Sequence, residues 1–184
     1  KLTYWELEID ETENKSMQEV LESQKVEANA NFARFIKENY HDWLNLPKIS
    51  KPVLSHQVMK KHVFPKLKKD KPLFFIVIDN LRLDQWEMIE NQLRDYFLVK
   101  ENGTYYSILP TTTAFSRNAL FSGMMPLEMA KSYPDLWEGE DTDEGKNNHE
   151  EEFLNVNLKK NRLSIRSSYN KIIQTNQGKA VLDQ

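Results

Sequence analysis

Leu73-Phe74-Phe75-Ile76-Val77-Ile78 runs without a polar residue and stops at Asp79-Asn80. The run is β-branched and aromatic, and short for a buried helix. Apolar on both faces, it predicts a strand of a parallel sheet covered on both sides. Downstream, Trp86, Ile89, Leu93 and Tyr96 recur at helical spacing, which predicts a helix over 82–96. Glu101-Asn102-Gly103 signals a turn. Residues 104–109 then read as a second strand, and 113–121 as a helix closed by Gly123 in the C-cap role. This β-α-β-α order predicts an α/β fold.

Upstream the texture is helical. Met17, Val20 and Leu21, then Phe32, Phe35, Ile36, Tyr40, Trp43 and Leu44, recur at spacings of three and four. No glycine precedes Gly103 and no proline precedes Pro47, so one helix of about 25 residues from near Asn14 is expected. Pro47 and Pro52 end that regime. A shorter helix is predicted over 55–64, and Pro65 with the run 66–70 marks a boundary. The expected organisation is a helical bundle or linker domain over 1–70 and an α/β domain over 71–184. Two weaker helices are predicted near 150–160 and 177–182.

The chain of 184 residues is 39% hydrophobic and 29% charged, the mix of a globular protein. No apolar run approaches the roughly 20 residues that span a bilayer, and residues 1–6 do not read as a secretory signal. Cysteine is absent, which excludes disulfides and thiolate metal sites, and a cytoplasmic location is expected. The net charge of -3 hides segregation. Residues 47–71 are lysine-rich, which reads as a solvated face before it reads as a phosphate-binding one. Residues 135–152 are acidic.

Two signals carry chemistry. Asp79 falls at the carboxyl end of the predicted strand, where open α/β sheets bind ligands. A hard carboxylate there suits a divalent cation, though it would equally cap the following helix. The second signal is Leu109-Pro110-Thr111-Thr112-Thr113-Ala114-Phe115-Ser116-Arg117-Asn118. Thr113 lies where strand gives way to helix, and a helix N-terminus suits a phosphate. A neutral threonine hydroxyl is a weak nucleophile and needs activation, for which a metal ion serves. The bland alternative is a strand end and an N-cap.

Ile76-Val77-Ile78-Asp79-Asn80-Leu81-Arg82-Leu83-Asp84 resembles the strand-D-G-x-R-x-D opening of the alkaline-phosphatase superfamily. Pro110-Thr111-Thr112-Thr113 with Gly123-Met124-Met125-Pro126 resembles its P-x-x-T…(S/T)-G-x-x-P nucleophile segment. The resemblance implies Asp79 as a metal ligand and Thr113 as both nucleophile and metal ligand, with Thr111 and Thr112 as fallbacks. More narrowly, Asp79-Asn80-Leu81-Arg82, the threonine run, Arg117-Asn118-Ala119 and Phe121-Ser122-Gly123 look like a PglZ domain. Tyr4-Trp5-Glu6-Leu7-Glu8, Gln24-Lys25-Val26-Glu27-Ala28-Asn29 and Phe32-Ala33-Arg34-Phe35-Ile36 look like the middle domain of PorX-type response regulators.

This family likeness implies a zinc-dependent phosphodiesterase acting on nucleotide or oligonucleotide phosphodiesters. It implies two Zn²⁺ ions, and Arg117, Asn118 and Arg82 as substrate-binding candidates. It also implies a two-component system with a sensor histidine kinase, a link to type IX secretion, a sigma factor as partner, a homodimer, and no membrane association. The rival reading is a non-catalytic signalling scaffold that binds a sigma factor or another partner through the same domain. Asp79 and Thr113 are expected to share one site.

Two departures stand out. Asn80 occupies a position where many relatives have glycine, which is expected to change the turn but not the ligand. The superfamily's further Asp and His ligands are not evident after Gly123, so the remaining zinc ligands are expected outside this chain and the domain is expected to be partial, inactive by itself. His149 stands alone in a polar stretch. Asp141-Thr142-Asp143-Glu144-Gly145 faintly resembles a calcium loop with Glu152 in twelfth place, but Lys146 holds the sixth position, where glycine is needed. Asp84 reads as structural, and Trp5, Trp43, Trp86 and Trp137 as core or interface residues.

Overall fold

In the computed structural model of the chain, residues 2–10, 14–46, 51–137, 147–174 and 177–179 are described. They fall into two compact units, Lys1–Pro52 with Ile76–Thr104, and Val53–Phe75 with Tyr105–Gln184.

The first unit holds α1 (Leu2–Asp10), α2 (Lys15–Asn45) and α3 (Leu83–Leu93), with α1 packed against both others. The helix expected from near Asn14 forms and runs for 31 residues, about 46 Å at 1.5 Å per residue. Its start is set by Asn14, whose extended backbone leaves the side-chain oxygen free to accept from the Met17 N–H at 3.3 Å. Asn14→Ala should therefore lower stability by about 1 kcal/mol, and Asn14→Ser should recover most of it. Denaturant titrations of the two variants check this.

Ile9, Leu21 and Trp43 are buried in this unit. Lys25 of α2 reaches Glu6 of α1 at 2.7 Å, and Phe35 and Tyr40 set their rings 5.5 Å and 6.4 Å from Trp43. Trp5 is exposed, outside this core, and Trp86 is half-buried.

In the second unit, the single helix expected over 55–64 is instead a 3-10 turn (Ser55–Gln57), a π turn (Met59–Val63) and a second 3-10 turn (Phe64–Lys66). Pro65 offers no N–H and its ring crowds the carbonyl four residues back, so α geometry cannot run through it. Next come α4 (Thr113–Ser122), α5 (Pro126–Ser132) and α6 (Glu150–Lys160). α4 packs on α5, α6 and the 55–57 turn. The core between them is Leu54, Met59, Ile108, Leu120, Phe121, Met124, Met129, Phe153 and Leu158. Phe115 stacks its ring 5.6 Å from Trp137.

α4 and α6 occupy the expected stretches. α5 is an addition, and its sequence signal is Pro126 at the first position with Glu128 in the first turn and Lys131 in the last. The helix expected over 177–182 lies mostly outside the described residues.

The α/β expectation meets a different outcome. Among the described residues no strand ladder forms. Residues 73–78 are extended, but Phe74, Ile76 and Ile78 are exposed by 83%, 78% and 60%. The run passes from one unit to the other at Phe75–Ile76. A parallel strand is stabilised by neighbours on both edges and cover on both faces; no described segment pairs with this run. Of the second expected strand, one parallel bridge forms: Tyr106 donates to the Val53 carbonyl at 2.9 Å and accepts from the Ser55 N–H at 3.1 Å. No helix among the described residues is long and apolar enough to cross a membrane.

His56 lies in this second unit with a buried Nδ1 that has no hydrogen-bond partner among the described residues. Burial pushes its pKa below the ordinary 6.5, against the pull of Glu128 and aided by Lys61. The native state thus refuses a proton that the unfolded chain accepts. Stability should be fullest above pH 6.5 and fall as acidification passes through that value towards the lowered native pKa. Denaturation midpoints of the parent and His56→Gln across pH 5 to 8 check this: the variant should show the shallower slope.

Candidate functional site

The predicted site residues are divided between the units. Asp79 and Arg82 belong to the first, and Thr113, Arg117 and Asn118 to the second.

Asp79 is exposed at the end of the extended run, and its Oδ1 accepts from the Asn80 N–H at 3.1 Å. Asn80 has φ of 59°, in the left-handed region. After glycine, asparagine is the residue that adopts this conformation most readily. The departure from the family's glycine therefore keeps the turn. Arg82 donates to Asp84 from Nε at 3.0 Å and from its second terminal nitrogen at 2.6 Å. The guanidinium holds the Asp84 carboxyl down to about 2. The Arg82 N–H donates to Gln85 Oε1 at 3.0 Å, which starts α3. Arg82 thus pairs with a nearby carboxylate across the turn after Asp79.

In the second unit the threonine run ends on α4. Thr112 is the N-cap, with an extended backbone and no side-chain cap bond. Its carbonyl accepts from the Phe115 and Ser116 N–H groups at 3.0 Å and 2.9 Å, and from Ser116 Oγ at 3.0 Å. Thr113 is the first helical residue and half-buried, while Thr111 and Thr112 are exposed. Thr112 and Thr113 thus stand at the helix head, where backbone N–H groups and the dipole favour an anion.

Arg117 lies one turn further on the same face as Thr113. Its Nε donates to Glu150 Oε1 at the start of α6. The Glu150 side chain is 2% exposed. Its Oε2 accepts from the Tyr169 hydroxyl and lies 3.7 Å from Lys171 Nζ. Burial, reinforced by the hydrogen bond to Glu150, pushes the Tyr169 pKa up. Asn118 is buried, and its amide donates to the Ala114 carbonyl at 2.9 Å within α4.

Sequence reading did not single out Glu150, Tyr169 or Lys171. Glu150 was one acid in an acidic run, and nothing in its spacing marked it as the one that would be buried. At the far end of α4, Gly123 has φ of 67° and donates to the Ala119 carbonyl at 3.0 Å, filling the expected C-cap.

The fit of zinc can be judged from the acids and histidines. Among the described residues no group of three or more could hold a metal ion, whereas catalytic zinc takes three protein ligands. The described residues therefore do not by themselves form the zinc centre that the family likeness implies. His149 sits at the N-cap of α6 with Nδ1 3.4 Å from Glu152 Oε1. Residues 141–146 of the faint calcium loop lie outside the described residues.

The family model for the BREX system PglZ alkaline phosphatase-like domain matches residues 58–184. The model for the PorX response regulator linker domain matches residues 1–44. No curated protein matches the chain. With the PglZ match spanning more than half of its length, the chain belongs to the PglZ alkaline phosphatase-like family, preceded by a PorX-type response-regulator linker domain.

Proposed function

We propose that this chain is part of a response-regulator output that cleaves nucleotide-type phosphodiesters, with Thr113 as the nucleophile and Asp79 as a metal ligand. The observation that carries the reading is Thr113 itself: the last residue of Pro110-Thr111-Thr112-Thr113 is the first residue of α4, within the PglZ match.

Chemically, the Thr113 oxygen attacks phosphorus and forms a new P–O bond while the leaving alcohol departs with the electron pair of the old one. Water then displaces the threonine oxygen and releases the phosphomonoester. The positive end of α4 and the nearby Arg117 guanidinium favour the anionic phosphate. A threonine hydroxyl needs activation to react in this way. The family likeness assigns that task to one of two zinc ions and the activation of water to the other, and zinc enters here as a variable of the test.

The PorX-type linker match supports a setting in two-component signalling, downstream of a sensor histidine kinase and tied to type IX secretion, with a sigma factor and a second copy of the protein as partners. The test is turnover of a chromogenic phosphodiester by the full-length protein, with zinc supplied and with zinc chelated. The reaction is quenched early and digested for mass spectrometry. A phosphoryl adduct on Thr113 and loss of turnover on chelation are the expected results. An adduct on another residue, or on none while turnover proceeds, would overturn the nucleophile. Signalling that persists without turnover would favour a scaffold.

A further inference from the structure

We propose that Glu150 is a positioning residue for the nucleophile, holding Arg117 so that the head of α4 and the guanidinium one turn below Thr113 keep a fixed relation. The proposal rests on the reading of Thr113 given above.

Both oxygens of Glu150 are engaged. Oε1 takes Arg117 Nε from α4, and Oε2 takes the Tyr169 hydroxyl with Lys171 Nζ at 3.7 Å. The carboxylate is 2% exposed and the Arg117 side chain 18%. An exposed ion pair of this kind would fix little, because water and side-chain freedom compete with it. A desolvated one with its lone pairs satisfied is costly to break, so it sets geometry.

Glu150 also opens α6, the helix that packs most closely on α4. Fixing Arg117 to Glu150 therefore ties the middle of α4 to the start of α6, one turn from Thr113. Thr113 and Arg117 are four residues apart, which on a helix brings their Cβ atoms to about 5–6 Å. The cluster joins two cations, Arg117 and Lys171, to one carboxylate. Glu150 touches no reacting atom in this scheme and acts through Arg117.

The experiment uses the full-length protein and compares Glu150→Ala, Glu150→Asp, Arg117→Ala and the Glu150→Ala/Arg117→Ala double variant. Two quantities are read: amide hydrogen exchange over 113–118, and kcat and KM on a chromogenic phosphodiester with zinc supplied. Glu150→Ala should speed exchange in the first turn of α4. It should lower kcat by about tenfold or more with a much smaller change in KM, since misplacing a reacting group costs turnover before it costs binding.

Glu150→Asp keeps the carboxylate and should restore most of both. The double variant should be little worse than Arg117→Ala, because the two side chains act as one unit. A folded Glu150→Ala with unchanged kcat overturns the proposal, and so does a fall in kcat with unchanged exchange in α4. If Glu150→Ala does not fold, Glu150→Gln carries the same two readouts, and parental behaviour in it overturns the proposal. Full activity in Glu150→Ala beside an inactive Thr113→Val sinks this proposal alone; normal turnover in Thr113→Val sinks the nucleophile and this proposal together.

Discussion

Thr113→Val should reduce phosphodiester turnover by about a thousandfold or more while leaving the fold in place, because covalent catalysis loses its first step when the attacking oxygen is removed. Valine matches threonine in shape, so the change isolates the hydroxyl. Thr113 is the first residue of α4 and not its cap. The neighbours supply the control. Thr112 is the N-cap residue, yet it makes no side-chain cap bond. Thr112→Val therefore lacks the usual capping penalty of about 1 kcal/mol. Thr111 is exposed, and Thr111→Val should be milder still. Steady-state kinetics of the three variants, beside their thermal midpoints, separate a lost nucleophile from a damaged helix. Normal turnover in Thr113→Val with zinc present would remove the assignment. Loss of turnover in Thr111→Val or Thr112→Val alone would move it to that residue.

Gly123→Val should destabilise the second unit by about 2–5 kcal/mol, a large share of the roughly 5–15 kcal/mol that holds a domain together. Two effects add. The backbone sits at φ of 67°, where an L side chain meets the carbonyl oxygen that follows it. A β-branched residue suffers most there. The space is also taken: a Cβ would lie 2.7 Å from Asn157 Oδ1. Asn157 cannot move aside without loss, because its amide donates to the Phe121 carbonyl at 2.8 Å in a buried setting and its Oδ1 accepts from Asn161 at 2.9 Å. Gly103 provides the comparison. A Cβ there meets nothing within 4 Å and its φ is not in the left-handed region, so Gly103→Val should change stability by no more than about 0.5 kcal/mol. Denaturant midpoints of both variants decide it. Equal effects would mean that the close contact at Gly123 relaxes freely.

The local devices were legible in the sequence because each depends on a few neighbouring residues. Asn14 begins α2, Gly123 ends α4, and residues 150–160 form α6, all from capping chemistry and helical spacing. The turn after Asp79 went the other way: Asn80 was expected to change it, yet it takes the left-handed conformation that glycine would. The family resemblance pointed to Thr113, with Thr111 and Thr112 as fallbacks, and Thr113 is the first residue of α4. Pairing was a different matter. Residues 73–78 have the composition of a central strand, but a strand is made by its neighbours, and no described segment runs beside it. The helix expected over 55–64 broke into turns of different pitch around Pro65.

What the sequence determined by itself was therefore the start of α2, the end of α4, the span of α6 and the membership of the chain in its family, because short-range backbone chemistry and motif spacing are properties of contiguous residues. Tertiary structure alone decided that Glu150, out of a whole acidic run, would be buried between Arg117, Tyr169 and Lys171. That choice rests on residues 19 to 33 positions apart meeting in space, and no local pattern records which carboxylate the packing of α6 on α4 will remove from water.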